Sequence, residues 1–363
     1  MKTAARRFLP PCSCCPPAPV TVSRRHFLAG GVAALGLPGA SSRARAQTGP
    51  SAPPKTVIDV HHHISPPAYN HELIARGLNE AALFRWSVQR SLEDMDKAGV
   101  ATAITSITNP GLWFGNNDAA RRLARRCNEY AATLARDHPG RFGVFAALPL
   151  PDIDGSLKEI EYALDTLKAQ GIGLMTSFGD KWLGDPAFDP VMEELNRRKA
   201  VVYTHPTVAD CCRGILPVVS RATVEFQTDT SRAIGSIVFT GTAARYPEIK
   251  WIFSHGGGTM PFLYERYIRM PLLNPNVQPN IPRGVEYELK RFYYDVAQVA
   301  NPMALASLSK VVSSSQIMFG TDYPYRTSAD HVKGVTEFFG DEGDRRRIMR
   351  ENALGLMPRL KTG

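Results

Sequence analysis

The chain has 363 residues, 44% of them hydrophobic and 21% charged, an ordinary globular composition that excludes a disordered or collagen-like body. A net charge of +9 suggests a nucleic-acid or membrane partner until the charge is located. Seven cations, Lys2, Arg6, Arg7, Arg24, Arg25, Arg43 and Arg45, fall within residues 1–46 with no acid among them and leave +2 for the remainder, a balance from which no nucleic-acid partner follows.

Ser23-Arg24-Arg25-His26-Phe27-Leu28 is a twin-arginine pattern, followed by an apolar stretch of about 14 residues, too short to span a bilayer comfortably. Ala44-Arg45-Ala46 then supplies a small-x-small cleavage site. These features predict a twin-arginine signal peptide over 1–46, a periplasmic or secreted product, and a mature chain with no membrane span. Export of an already folded protein suits one that acquires its cofactor in the cytoplasm. Residues 47–55, QTGPSAPPK, read as a linker, which places the folded body at 56–360. Cys12, Cys14 and Cys15 belong to the leader. Cys127, Cys211 and Cys212 remain, an odd number without Cys-x-x-Cys spacing. Adjacent Cys211 and Cys212 are expected as loop thiols, because neighbours pair only in strained geometry.

After the linker, short apolar runs alternate with segments of helical periodicity. The runs are TVIDVHHH (56–63), VATAITSIT (100–108), RFGVFAALPL (141–150), GIGLMTSF (171–178), AVVYTHP (200–206), KWIFSHGGG (250–258), RFYYDVA (291–297) and QIMFGTDYP (316–324). Near-continuous apolar runs of this length predict parallel strands buried on both faces. Between them, apolar positions recur at helical spacing, as in Leu157, Ile160, Ala163, Leu164 and Leu167, with Gly171 as the expected stop. Eight β-then-α units predict an α/β fold, a single-domain (β/α)8 TIM barrel. The competing open doubly wound sheet would need a Gly-x-Gly-x-x-Gly turn after the first strand, and none is there. Residues 64–87 and 270–289 are expected as long loops on the catalytic face.

In such a barrel the C-terminal strand ends carry the site. The first strand ends in His61-His62-His63, the fifth in His205, the sixth in His255 and the eighth in Asp322. Side chains alternate along a strand. If Val57 and Asp59 point inward, so do His61 and His63, while His62 packs outward against the helices. Two imidazoles at i and i+2, with a third imidazole and a carboxylate, suit one Zn²⁺ or a similar divalent ion with a position open to water or substrate. His255, followed by three glycines, serves as a further ligand or as an acid/base. The glycines would let backbone approach a ligand, and a helix starting there would offer amides to an anion. Asp322 is either a turn residue before Pro324 or a ligand and proton acceptor. Trp113, Phe114 and Trp182 follow the second and fourth strands, where they either wall a substrate pocket or anchor loops on the rim. Arg90, and with it Arg85 and Arg76, is placed to anchor a second substrate carboxylate or to lie solvated on the surface.

Taken in order, DVHHHISP, VYTHP, SHGGG with PFLYERY, and FGTDYP resemble the amidohydrolase superfamily. Within it they resemble the "amidohydrolase 2" branch of aminocarboxymuconate-semialdehyde decarboxylase and related aromatic-acid decarboxylases. The likeness spans 58–324. It implies one divalent ion, usually zinc, held by His61, His63, His205 and Asp322, with His255 as acid/base. The fourth strand has no Lys to bridge a second ion, so the site is mononuclear. Asp229, where relatives often carry an acid, is expected to support the site or the fold. The resemblance implies non-oxidative decarboxylation of an unsaturated or aromatic carboxylic acid, and relatives are often dimers. The same residues would also serve metal-dependent hydrolysis of a lactone, ester or amide. A third reading is an exported metal- or ligand-binding protein without turnover. In every case the partner is a small carboxylate or carbonyl compound.

Overall fold

The computed structural model describes residues 55–362, and the expected signal peptide and linker residues 47–54 lie outside them. Eight parallel strands form one sheet in chain order: β1 (Val57–His63), β2 (Val100–Ser106), β3 (Phe142–Ala147), β4 (Gly171–Met175), β5 (Val201–His205), β6 (Lys250–Phe253), β7 (Tyr293–Asp295) and β8 (Ile317–Met318). The sheet curls until its ends meet. Val60 N donates to Phe319 O at 3.0 Å, Asp322 N to His61 O at 2.8 Å and His63 N to Tyr323 O at 2.8 Å. Each strand is followed by a helix: α1 (Val88–Ala98), α2 (Asn117–Asp137), α3 (Ile153–Glu161), α4 (Asp189–Arg197), α5 (Glu225–Phe239), α6 (Tyr264–Leu273), α7 (Pro302–Val311) and α8 (Ser328–Phe338). This is the expected (β/α)8 barrel. Among the described residues no helix is long and apolar enough to cross a membrane.

The apolar runs divide into two cores. Ala103, Val144, Ile172, Val202, Trp251 and Phe253 face outward and pack with helix residues such as Met95, Leu195, Ile234 and Leu308. Ile58, Val60, Ile104, Phe145, Tyr203, Ile252 and Met318 fill the barrel itself, closed below by Ala353 and Met357. Both faces of every strand are therefore dry, which is why the sequence shows runs instead of alternation.

Three local expectations need correction. Lys168, at φ 57°, ends the segment after α3, and Gly171 opens β4. A Cβ on Gly171 would lie 2.4 Å from Val201 O, so glycine serves the close strand pairing. The excursions 64–87 and 270–289 are largely helical: Pro67–Ala75, Ala81–Phe84, the end of α6, the 3-10 turn Pro275–Asn280 and Val285–Arg291. The glycines after His255 do not open the chain to a ligand. Cβ atoms at Gly256, Gly257 and Gly258 would meet Val299, Tyr294 and Gln227 O, and the next helix begins only at Tyr264.

Candidate metal centre

The first strand carries the site because it changes register. Val57 packs outward, while Ile58 and Val60 fill the barrel, so simple alternation from Val60 would send His62 inward and His61 and His63 out. Pairing with β2 advances three residues from Asp59 to His62 against two from Ala103 to Thr105, a β-bulge that reverses the parity. His61 and His63 thus point inward, as expected, although Val57 and Asp59 are not the inward set. Asp59, fully buried, pins the bulge: Oδ1 accepts from His61 N (2.9 Å) and Thr321 N (3.2 Å), and Oδ2 from Thr321 Oγ1 (2.6 Å). His62 turns to the helices, with Nδ1 3.2 Å from Asp59 Oδ2, Nε2 3.0 Å from Ser91 Oγ on α1, and its ring stacked on Tyr323.

Four imidazoles and one carboxylate converge on the rim, all buried. Asp322 Oδ1 lies 3.2 Å from His61 Nε2, 3.0 Å from His63 Nε2 and 3.9 Å from His205 Nε2, while Oδ2 lies 3.5 Å from His255 Nε2. Gly320 makes room for this, since a Cβ there would sit 2.9 Å from His61 Cβ and 3.0 Å from Asp295 Cβ. Three of the rings are oriented through Nδ1: His61 on Asp295 Oδ2 (2.9 Å), His63 on Ser106 Oγ (3.0 Å) and His205 on Pro206 O (2.9 Å). That leaves Nε2 of each aimed at the centre, the pattern of imidazoles that bind a metal.

The donors fit a divalent cation. Asp322 Oδ1 and both ring nitrogens of His255 are buried without a hydrogen-bond partner, and His61 Nε2 stands 3.0 Å from His63 Nε2. Burial opposes charge on His61, yet the Asp295 and Asp322 carboxylates outweigh it and push the ring up to about 10. Two carboxylates thus call for a positive charge between them, the charge a metal would supply. Burial lowers His63 to about 4 and holds His205 well below its ordinary value. Asp322, despite burial, is held well below the carboxylate range by the His61 charge and by the imidazoles of His205, His255 and His61 turned towards it. Ionised Asp322 with neutral His63 and His205 is the protonation state in which lone pairs face a cation. His61, His205, His255 and Asp322 each offer an atom within 4.8 Å of all the others, and His63 approaches the same carboxylate oxygen at 3.0 Å.

Beside the centre, loops after β2, β4 and β5 enclose a cavity of about 760 Å³. None of the five rim side chains lines it. It adjoins them through Asn109, Thr207 and Met175, the last paired in register with His205. Trp113, Phe114, Phe178 and Arg76 line it, with Arg76 paired to Glu72 and over the Phe114 ring at 4.2 Å. Arg90 and Arg85 are not among the lining residues; Arg90 Nη1 donates to Arg85 O at 2.6 Å on the exposed end of α1. Trp182 is also elsewhere, its Nε1 donating to Asp229 Oδ1 at 2.7 Å. Asp229, buried, further accepts from Thr176 Oγ1 and, at 3.0 Å, from Ser177 Oγ, tying α5 to the end of β4. Cys211 and Cys212 are free, as expected. Sequence reasoning missed Asp295, Ser106, Asp59 and Gln298. Asp295 had a usable signal, a carboxylate ending an apolar run like Asp322; the others had none.

The chain belongs to the amidohydrolase family, whose model matches residues 58–359. It is 37% identical to "Decarboxylase yanB" of Aspergillus niger, over 84% of this chain and 88% of the relative. It is 34% identical to the 6-methylsalicylic acid decarboxylase acuB of Aspergillus aculeatus, over 84% of this chain and 96% of the relative. Its barrel matches the solved 5-carboxyvanillate decarboxylase LigW of Sphingomonas paucimobilis with a TM-score of 0.76 at 21% identity, over 84% of this chain and 99% of that one.

Proposed function

We propose that the protein is a metal-dependent carboxy-lyase that removes CO₂ from an aromatic carboxylic acid. The observation that carries this reading is the 37% identity, across 84% of the chain, to a relative named as a decarboxylase; the donor set alone would serve hydrolysis equally well. His61, His63, His205 and Asp322 would hold the ion, which supplies positive charge to offset the charge developing on the substrate. The proposal takes zinc as that ion, although a dihydroxybenzoic acid decarboxylase of Polaromonas with the same fold binds manganese.

The cavity walled by Trp113, Phe114 and Phe178 would receive an aromatic ring. When that carbon–carboxylate bond breaks, its electron pair stays on the ring carbon, CO₂ leaves, and a proton must reach the same carbon. His255 would give it. Its ring is buried, neither nitrogen has a partner, and Nε2 faces Asp322 Oδ2. Export by the twin-arginine route belongs to the same proposal, supported by the Ser23–Leu28 pattern.

The mature protein is assayed for metal per chain by elemental analysis. Aromatic acids are screened for CO₂ release, and lactones and esters for acid release. One zinc per chain and CO₂ without hydrolysis are expected; hydrolysis without CO₂ release overturns the reading. His255→Asn is expected to lower turnover about 10²–10⁴-fold while metal content stays unchanged.

A further inference from the structure

Among the described residues five non-glycine positions have positive φ: Lys168, Lys199, His255, Gln298 and Asp322. The two lysines lie in the turns leading into β4 and β5. The other three follow β6, β7 and β8, and they meet at a single atom, Asp322 Oδ2. Gln298 Nε2 donates to it at 2.8 Å, and His255 Nε2 lies 3.5 Å away. A left-handed non-glycine residue is strained and persists only where its surroundings hold it.

Gln298 is held from behind. Its backbone N–H donates to His331 Nε2 at 2.9 Å, and His331 Nδ1 lies 2.9 Å from Thr327 O. Nε2 accepts from an amide, so the ring proton belongs on Nδ1, where it donates to the Thr327 carbonyl. Burial keeps His331 below its ordinary pKa, consistent with that neutral tautomer. An ionised carboxylate only accepts, so the Gln298 amide must present its NH₂ to Asp322.

We propose that Gln298 is a positioning residue for Asp322: its amide occupies Oδ2 and leaves Oδ1 as the oxygen offered to the metal. The geometry divides the carboxylate between two tasks. Oδ2 is shared by Gln298 and His255, whereas Oδ1 has no hydrogen-bond partner and faces His61 and His63 at 3.2 and 3.0 Å. Without the amide, the carboxylate is free to rotate and present either oxygen to the ion. His331 contributes by clamping the Gln298 backbone in the conformation that aims the amide. The assignment rests on the metal-site part of the proposed function and does not require that the reaction be decarboxylation.

The test uses metal-stripped full-length mature protein titrated with Mn²⁺ alone, followed by calorimetry and by the electron paramagnetic resonance spectrum of the bound ion. Gln298→Met keeps the length of the side chain and removes the donor. It is expected to weaken Mn²⁺ binding about 10–100-fold and to change the spectrum, with the unfolding midpoint near that of the wild type. Should this variant not fold, Gln298→Asn, which keeps the amide but falls a methylene short of Asp322, takes the same measurements with the same expected direction. Wild-type affinity together with an unchanged spectrum in the variant overturns the assignment. Failure of the unaltered protein to bind Mn²⁺ or Zn²⁺ would instead sink the metal-site reading on which it stands.

Discussion

Below His61 the barrel interior is apolar, filled by Ile58, Val60, Phe145, Tyr203 and Met318, with Phe145 and Tyr203 stacked at 5.3 Å. Above it, the same strands end in four imidazoles, each within 4 Å of one of two carboxylates. On β1 the boundary is the bulge, and on β5 a single alternation step, from Tyr203 to His205, crosses it. The floor sets the barrel radius through packing, and the rim uses that radius to bring distant strand ends together. Stability and chemistry are thereby divided along each strand.

Substitutions that touch one layer and spare the other test this division. The largest effect on stability belongs to the floor. Phe145→Ala removes a buried ring and is expected to cost about 3–5 kcal/mol by chemical denaturation, while the folded fraction still binds one Mn²⁺ per chain. A loss of metal stoichiometry in that folded fraction would show the layers to be coupled.

A smaller effect is expected on the rim. Asp295→Asn weakens the hydrogen bond that orients His61 and removes one of the two charges that hold it, and should lower metal affinity about 10–100-fold. Its unfolding midpoint in the absence of metal should change little or rise, since a buried charge is removed. A midpoint drop comparable to that of Phe145→Ala would place Asp295 among the structural residues instead.

The smallest effect is a pH dependence of stability carried by His331. Burial depresses its folded-state pKa below the ordinary 6.5, so the folded protein takes up this proton less readily than the unfolded chain. The contribution is fully present above the unfolded pKa and is lost as pH falls through it towards the folded value. His331→Gln should flatten that part of the stability–pH curve below pH 6.5, measured by denaturation at a series of pH values. An unchanged slope would remove His331 as its source.

The fold was legible because a parallel sheet covered on both faces leaves an unambiguous trace, eight apolar runs separated by helical periods. His61, His63, His205, His255 and Asp322 were legible because each ends such a run, and a barrel brings all strand ends to one rim. Arg90 and Trp182 were placed by proximity in sequence to that rim, and proximity does not say which way a loop residue turns. Arg90 lies at an exposed helix end and donates to the Arg85 carbonyl, and Trp182 is captured by Asp229.

By itself, then, the sequence determined the order of elements, the barrel and the residue types at its mouth, since these depend on periodicity and position along the chain. Only the tertiary structure decided which face of β1 carries His61 and His63, because a bulge at Asp59–His62 depends on pairing with β2 and on Thr321 from the far end of the chain. It also decided that Asp295 orients His61 and that Gln298 meets Asp322. Hydrogen bonds between residues as many as 262 positions apart have no period to betray them and exist only once the barrel closes.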